Sequence, residues 1–450
     1  MRDLVLLVFL AAALLSLIRY PFVGLLVWAW FSLATPQAAS YWASQYPLNM
    51  YIAVLTVIAF FFHGEFWRAR LSGISWLMVG FAVWLWMSQL NSIAPGISAY
   101  PFDLFFKVMI FALLCSAVVT TRLRFHALLW LFALVMGFFG AKAGAYTLAT
   151  LGRGQVFGID GTVLYDNNHM GIALATTLPV FLYLARQAVM PITRYGIWAV
   201  FGLSIIGIIG TQSRGAFIAL IVFAGLMWLR SSYKVITGAL AVVVAIIGVQ
   251  FLPDDYTDRM STITEADEDA SFMGRVEAWE TNWELAKRNP LTGAGLRVAY
   301  EQDIADTVTG HTARAAHSIY FEVLGGTGFI GLLFYLGFIG LAFLKAGQAE
   351  RRYASTGEGS WRSPFGKYAQ MAIITFGIGG ASVSMEMWDG YLIIIALISA
   401  LGRVEGNDKP AAPGRFTDRL HRPQAATARE RIRARAPSVA DKSVVKENQI

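Results

Sequence analysis

Long apolar segments recur along almost the whole of this 450-residue chain, and they constrain its fold more than any other feature. Each is long enough, or nearly long enough, to cross the roughly 30 Å hydrocarbon core of a bilayer. Helices are the predicted form, because a backbone in lipid must satisfy its hydrogen bonds internally and the sequence shows no alternating pattern typical of a membrane barrel. The predicted spans lie near residues 4–18, 21–34, 48–62, 74–90, 103–121, 124–149, 168–185, 195–210, 214–230, 235–252, 319–344, 368–385 and 388–402.

The sequence therefore predicts an all-α polytopic membrane protein with about 12 to 13 transmembrane helices. The count varies because only Arg19-Tyr20-Pro21 separates the first two segments, which also fit one broken element. Composition excludes a soluble protein, since 56% of the residues are hydrophobic and only 14% are charged. The single cysteine, Cys115, excludes an internal disulfide and a cysteine-rich metal site.

The formal net charge of +7 is not gathered in one patch, so we predict no nucleic-acid partner. Loops that carry Lys or Arg alternate with loops that do not, and basic loops stay on the cytoplasmic side. The stretch 253–318 has 13 acidic and six basic residues, a net charge of −7, which suits the one large extracytoplasmic loop. The basic residues assigned to the cytoplasmic side are Arg68, Arg70, Arg122, Arg124, Arg186, Arg194, Arg230, Lys234, Lys345, Arg351, Arg352, Arg362 and Lys367.

This pattern divides the chain into five predicted parts. They are N-terminal transmembrane helices at 1–150, central transmembrane helices at 151–252, the large loop at 253–318, C-terminal transmembrane helices at 319–402, and a disordered, basic cytoplasmic tail at 403–450.

Arg214 is a cation on the side where the charge rule predicts none. It stands in the junction Gly210-Thr211-Gln212-Ser213-Arg214-Gly215-Ala216, where two spans are joined with almost no loop. It either snorkels to the interface or binds an anionic ligand in a wet cavity. Gly215 would let a phosphate approach closely, and the N-terminus of the following helix adds anion-attracting amides.

The large loop contains a predicted amphipathic helix over residues 274–290, which Asn289-Pro290 closes. Its predicted apolar stripe contains Trp279 and Trp283. Arg275 and Trp279 are four residues apart, so the indole could stack on the guanidinium and aim it. The alternative for Arg275 is an ordinary solvated side chain.

The sequence His317-Ser318-Ile319-Tyr320-Phe321-Glu322 marks the return to the membrane. His317 and Tyr320 share a helix face, and Glu322 lies near the headgroup level. An imidazole where water meets lipid can accept a proton from a sugar hydroxyl, although it can also be a purely structural residue.

Other polar residues on the same side have less specific patterns. Arg153 and Lys142 fit interfacial positions, and Asn168 could contribute to a substrate cleft at the start of its span. His311 and His317 lack a supporting carboxylate motif, and Asp267-Glu268-Asp269 fits a solvated linker. We therefore predict no metal and no cofactor.

Together these residues resemble the O-antigen ligase and O-antigen polymerase superfamily of bacterial envelope glycan assembly. The resemblance covers about residues 150–345 and is carried by Ser213-Arg214-Gly215-Ala216, Gly274-Arg275 with Trp279, Asn289-Pro290, Gly293-Ala294-Gly295, and His317 before a span with Gly328 and Gly331. The N-terminal part, from Arg19-Tyr20-Pro21, is similar to the exosortase-associated O-glycosylation ligase subgroup.

The resemblance implies a metal-independent, inverting transfer of a preassembled glycan from undecaprenyl diphosphate to a hydroxyl acceptor. It implies a multi-pass protein of the bacterial inner membrane with a periplasmic active site. Arg214 and Arg275 would stabilise the leaving diphosphate, and His317 would activate the acceptor, which is a lipid, a protein or a polysaccharide. Relatives often have Asn and an acidic residue where Ser318 and Gly325-Gly326 stand here, so Glu322 is hypothesised to supply the missing carboxylate. The predicted substrate-binding residues are Arg153, Asn168, Gly215, Trp279, Tyr320 and Glu322.

Three alternatives remain open at this point. A lipid-linked glycan polymerase would share the donor chemistry and differ in its acceptor. A glycan flippase or transporter would place cations along a central pathway, whereas the cations singled out here lie on one side. A structural scaffold would tolerate Arg214→Lys despite the loss of forked geometry.

Overall fold

The apolar segments predicted from sequence are helices wherever the structure describes them. The computed structural model describes residues 2–65, 70–158, 161–236, 238–239, 270–354 and 361–404, and these ranges contain helices, turns and loops without a β-sheet. The predicted span at 235–252, the Asp267-Glu268-Asp269 stretch and nearly all of the predicted tail lie outside the described residues.

We number the described α-helices in chain order. They are α1 (Arg2–Arg19), α2 (Pro21–Ala34), α3 (Leu48–Phe62), α4 (Gly73–Leu90), α5 (Pro95–Val118), α6 (Arg122–Ala149), α7 (Asn167–Gln187), α8 (Pro191–Gly210), α9 (Arg214–Leu229), α10 (Ala270–Arg288), α11 (Gln302–Val308), α12 (Ile319–Ala354), α13 (Arg362–Gly379) and α14 (Asp389–Ala400).

Six of these described helices, α4 to α8 and α12, are long and apolar enough to cross a membrane. Four shorter apolar helices, α2, α3, α9 and α14, have 10–17 residues. The fold is therefore that of an all-α polytopic membrane protein. The predicted set of about 12 to 13 transmembrane helices also includes the shorter apolar helices, because segments only nearly long enough to cross a bilayer were counted, and its member at 235–252 lies outside the described residues.

Local chemistry explains where these helices begin. Proline occupies the first turn of α2, α5 and α8, where its missing N–H costs no helical hydrogen bond. The Ser72 hydroxyl and Ser75 form a capping box at the start of α4. The Asp166 carboxylate caps α7, and the Ser213 hydroxyl caps α9 by accepting the N–H of Ala216.

Helix α7 lies at the centre of the bundle. Within its apolar stretch 89% of the residues are buried, whereas in the apolar stretch of α8 only 22% are buried. Helix α7 packs against α6, α8, α9 and α13. Outer helices expose large apolar side chains such as Leu333 and Leu123, as expected for surfaces in contact with lipid. The burial of α7 gives the residues at its N-terminus a rigid base.

Two of the basic residues predicted to be cytoplasmic, Arg124 and Arg230, form ion pairs at one end of the bundle, which we call the basic end. Arg124 pairs with Glu65 through both terminal nitrogens, and Arg230 pairs with Glu350 near the end of α12. Because α12 begins at Ile319, the loop before it lies at the opposite end, which we call the site end.

A kink in α12 joins the site end to the bundle. Gly328 has φ 70° and ψ −175°, a conformation that interrupts the helix and that only glycine adopts readily. The loop after α10 contacts this kink, with Ala294 N–H donating to the Gly325 carbonyl (2.9 Å) and Phe329 N–H donating to the Pro290 carbonyl (2.9 Å). Carbonyl and amide groups that the kink leaves without helical partners are thus satisfied by the loop.

Candidate active site

The amphipathic helix predicted in the large loop is α10, and it packs against α12 at the site end. Its buried side chains are Ala278, Thr281, Asn282, Leu285 and Ala286, which recur at helical spacing. The predicted stripe is wrong at Trp283, which is 44% exposed and meets the edge of Phe329. The prediction considered only the hydrophobicity of Trp283. In the structure, the side chains that α10 buries are all smaller than tryptophan.

Trp279 holds the segment that leads to His317. Its indole Nε1 donates to the Ala316 carbonyl (2.8 Å), and its ring stacks on Phe321 with a centroid separation of 5.2 Å and an interplanar angle of 7°. These contacts fix the backbone on both sides of His317. The indole that the sequence assigned to substrate binding thus lies where it positions the histidine.

His317 is half-buried and has a left-handed backbone (φ 47°) just before α12. Burial lowers the pKa of its imidazole, and the nearby Arg275 and His169 lower it further, while Glu322 and Asp166 act in the opposite direction. The lowered pKa favours a neutral ring at pH 7, which is the form that accepts a proton.

Arg275 therefore lies within direct electrostatic range of His317. It projects from the N-terminal turns of α10, one residue after Gly274. A β-carbon at Gly274 would overlap the guanidinium of Arg314, so a second arginine passes close to the helix there. The structure thus places Arg275 within electrostatic range of the imidazole, and Arg314 next to the turn of α10 that carries Arg275.

Arg214 begins α9 and is held next to the start of α7. The Ser213 hydroxyl donates to Asn168 Oδ1 (2.6 Å), and Asn167 Nδ2 donates to the Thr211 carbonyl (2.8 Å). His169, which acts electrostatically on His317, follows directly in α7. The junction that precedes Arg214 therefore contacts the same N-terminal turn of α7 that carries His169.

Two predicted binding residues support this junction. Asn168 also donates from Nδ2 to the Asp166 carboxylate (2.9 Å), so its amide ties the Arg214 junction to the α7 cap. A β-carbon at Gly215 would overlap the Ser382 hydroxyl, so its lack of a side chain allows close helix packing. The assignment of both residues to substrate binding stays a prediction.

Glu322 is 3% exposed and is occupied by donors of its own chain. Its Oε1 accepts the Tyr300 hydroxyl (2.6 Å), the Ser384 hydroxyl (2.8 Å) and the Ala316 N–H (2.9 Å). The last contact is made by the residue before His317. Glu322 is therefore a support for the histidine loop, and a direct contact with substrate is not needed to explain it.

The remaining predicted site residues, Tyr320 and Arg153, have other surroundings. The Tyr320 hydroxyl donates to the Gly377 carbonyl of α13 (2.6 Å), which anchors the start of α12. Arg153 is exposed in the loop after α6. Among the described residues, no group of three or more His, Cys, Asp or Glu side chains could hold a metal ion.

Sequence reasoning missed a buried ion pair behind the cluster. Arg297 Nη2 lies 3.7 Å from Oε1 of Glu386, and Glu386 is only 1% exposed. Burial and the neighbouring Glu322 raise the pKa of Glu386 to about 7, against the effect of Arg297. Arg297 also lies over the Tyr300 ring, 5.8 Å from its centroid. No sequence pattern marks these residues, because 89 positions separate the two charges along the chain.

The comparison with known families covers the same part of the chain. Residues 199–336 match the family described as O-Antigen ligase. The chain carries an O-antigen ligase domain. This domain contains Arg214, Arg275 and His317 and supports membership of the superfamily predicted from sequence.

Residues 1–189 match a family of unknown function (DUF5935). No curated protein matches the chain. The assignment to the exosortase-associated subgroup stays a prediction. The O-antigen ligase domain indicates a membrane enzyme of the glycan ligase or polymerase type, whose substrate is a lipid-linked glycan.

Proposed function

We propose that this protein transfers a preassembled glycan from undecaprenyl diphosphate to a hydroxyl acceptor at the periplasmic face of the bacterial inner membrane. The observation that carries the proposal is the half-buried imidazole of His317, whose pKa is lowered by burial and by the charge of Arg275, inside an O-antigen ligase domain. The transfer is inverting and needs no metal.

The two arginines act on the leaving group. As the bond between the anomeric carbon and the phosphate oxygen breaks, its electron pair stays with the diphosphate, which becomes more negative. Arg214 and Arg275 stabilise that charge through forked, charge-assisted hydrogen bonds. In this proposal the guanidinium groups do the work that a divalent cation does in other diphosphate chemistry.

His317 acts on the acceptor. Its neutral imidazole takes the proton from the hydroxyl as the oxygen attacks the anomeric carbon from the face opposite the diphosphate, which inverts the configuration. The proton then rests on the ring, while the Arg275 charge favours its later release to solvent. The hydrogen bonds of Trp279 and Glu322 to Ala316 keep the ring in position for this step.

The sidedness of the proposal rests on charge. The contacts of Arg124 and Arg230 collect at the basic end, and the charge rule assigns that end to the cytoplasm. The cluster around His317 lies at the other end and would face the periplasm, where assembled lipid-linked glycans are available to an acceptor.

Reconstitution in liposomes with a polyprenyl-diphosphate glycan, candidate acceptors and a chelator tests the proposal. We expect His317→Ala, Arg214→Ala and Arg275→Ala each to lower turnover by at least about 100-fold. His311→Ala and Lys287→Ala are the matched controls, because His311 lies in the same loop and Lys287 on the same helix, each paired with a glutamate. A requirement for a divalent cation would refute the mechanism. Undiminished turnover in His317→Ala, Arg214→Ala and Arg275→Ala would refute it as well.

The acceptor decides between ligase and polymerase. A ligase joins the glycan to a lipid, protein or polysaccharide acceptor and leaves the donor pool at one length. A polymerase instead produces a ladder of longer lipid-linked glycans in the absence of any other acceptor. Electrophoresis of the reaction products separates the two outcomes.

A further inference from the structure

A groove runs along one face of α6 towards the site end. Its volume is about 1040 Å³, and its walls are α2, α6, the α2–α3 connection and residues 155–158. The α6 side chains that line it recur at helical spacing from Leu131 to Tyr146, so it extends for about 22 Å along the helix axis. Such a length suits an extended hydrocarbon chain and exceeds what a single sugar or nucleotide needs.

The groove changes in polarity along its length. Leu131, Leu134 and Phe138 line the part near the middle of α6, and Lys142 follows one turn closer to the site end. Arg2 also lines the groove, and no Asp or Glu stands among the described residues that do so. An apolar channel with cations at one end is complementary to a lipid with an anionic headgroup.

The cationic part of the groove borders the Arg214 junction. In its wall, Val156 N–H donates to the Gly210 carbonyl (2.9 Å), four residues before Arg214. Met170 also lines the groove and directly follows His169 in α7. A headgroup beside Lys142 would therefore lie next to the N-terminal turn of α7, which separates the groove from the cluster around His317.

We propose that this groove, which belongs largely to the segment of unknown function, binds the polyisoprenyl chain of the lipid-linked donor. Lys142 binds the diphosphate on its way to Arg214. The proposal rests on the proposed function for the identity of the donor. It adds the tail site and Lys142 as a donor-binding residue, neither of which lies within the O-antigen ligase domain.

The test uses the full-length protein with His317→Ala in nanodiscs, so that binding is measured without turnover. A diazirine-bearing polyprenyl diphosphate is photolysed, and the labelled peptides are identified by mass spectrometry. We expect labels on residues 131–146, and competition by undecaprenyl diphosphate but not by phosphatidylglycerol at the same mole fraction. Equal competition by phosphatidylglycerol would mean that any bilayer lipid fills the groove, and would overturn the proposal.

Two variants locate the site. Leu134→Trp fills the apolar channel and Lys142→Gln removes its cation, and both side chains are exposed, so neither change disturbs the core. Each should lower labelling by about five- to tenfold. Leu123→Trp, an exposed leucine of α6 beyond the groove, and Lys345→Gln at the basic end are the matched controls. Unchanged labelling in both groove variants would overturn the proposal.

The two proposals fail in different ways. If the groove variants lose labelling while the wild-type protein transfers no glycan to any acceptor, the lipid site stands and the transfer function falls. If transfer proceeds normally while labelling is insensitive to Leu134→Trp and Lys142→Gln, the function stands and the groove is wrong.

Discussion

His317 lies in an electrostatic field that several elements create. Arg275 comes from α10, Glu322 from α12, and Asp166 and His169 from the start of α7. Burial and the two basic neighbours lower the pKa of the ring and outweigh the two carboxylates. The protonation state of one residue is thus decided by groups that are far apart in the sequence.

The pH dependence of turnover follows from this field. Because the pKa of His317 is lowered from 6.5, kcat/KM should be constant at neutral pH and should fall only below pH 6.5, where the ring becomes protonated. Arg275→Gln removes a cation and should raise the pKa of His317, so kcat/KM of this variant should begin to fall at a higher pH than in the wild type. Arg275→Lys keeps the charge and should leave the pH dependence unchanged. A wild-type limb centred above pH 6.5 would contradict the assignment of His317 as the base.

Glu322 offers a test of support against direct chemistry. Glu322→Gln keeps a carbonyl oxygen for the three donors, so we expect a folded protein whose turnover falls by less than about tenfold. Glu322→Ala leaves those buried donors without a partner and should lower the free energy of unfolding by about 2 kcal/mol or more. Thermal unfolding and turnover are measured on both. A stable Glu322→Gln protein without activity would instead restore the carboxylate to the reaction.

The Arg297 and Glu386 pair predicts non-additive substitutions. Arg297→Met leaves the Glu386 carboxyl buried without its cation; because its pKa is already about 7, the carboxyl takes up a proton, so the loss should be about 1–2 kcal/mol at pH 7 and should grow as the pH rises. The double variant with Glu386→Gln should recover most of that loss, because no buried charge remains uncompensated. A double-mutant cycle by thermal unfolding measures the coupling, and purely additive losses would show that the pair is not coupled.

Among the elements, α12 and the loop after α10 depend on each other. A β-carbon at Gly293 would lie 2.5 Å from the backbone of Thr327, and one at Gly328 would overlap the Leu291 carbonyl. Both glycines also have positive φ angles. The turn Gly293-Ala294-Gly295 therefore packs closely against the kink of α12.

This contact predicts the effect of alanine at three glycines. Gly293→Ala and Gly328→Ala should each destabilise the protein by about 2 kcal/mol or more, since both strain the backbone and separate the loop from the helix. Gly340→Ala is the control in the same helix, because a β-carbon there meets no atom within 4 Å. It should be neutral or slightly stabilising. Thermal unfolding in detergent distinguishes these outcomes, and equal effects at all three positions would contradict the packing argument.

For the whole molecule, the separation of the basic end from the site end predicts orientation. Cys115 is fully buried, so single cysteines can be introduced with little background labelling. On intact spheroplasts, a membrane-impermeant maleimide should label Thr312→Cys in the site-end loop and should not label Val189→Cys at the other end before the cells are permeabilised. The reverse pattern would invert the topology and move the proposed reaction to the cytoplasm.

The elements of the fold were largely predictable. The spans at 21–34 and 48–62 match α2 and α3, and Arg214 was correctly placed at the start of a helix. These features depend on local hydrophobicity and on short-range capping, which a sequence displays directly. The error at Trp283 arose because a local pattern cannot show which side of a helix its neighbours cover.

What the sequence alone determined is therefore the all-helical membrane class, the approximate helix ends and the resemblance to the O-antigen ligase superfamily. Only the tertiary structure decided that Trp279 and Glu322 hold the segment carrying His317, that Arg297 pairs with Glu386, and that a groove adjoins the Arg214 junction. The physical reason is that hydrophobicity and capping act over a few residues. Buried ion pairs and grooves instead arise where helices distant in the chain pack together, and only their relative placement brings those charges and surfaces into contact.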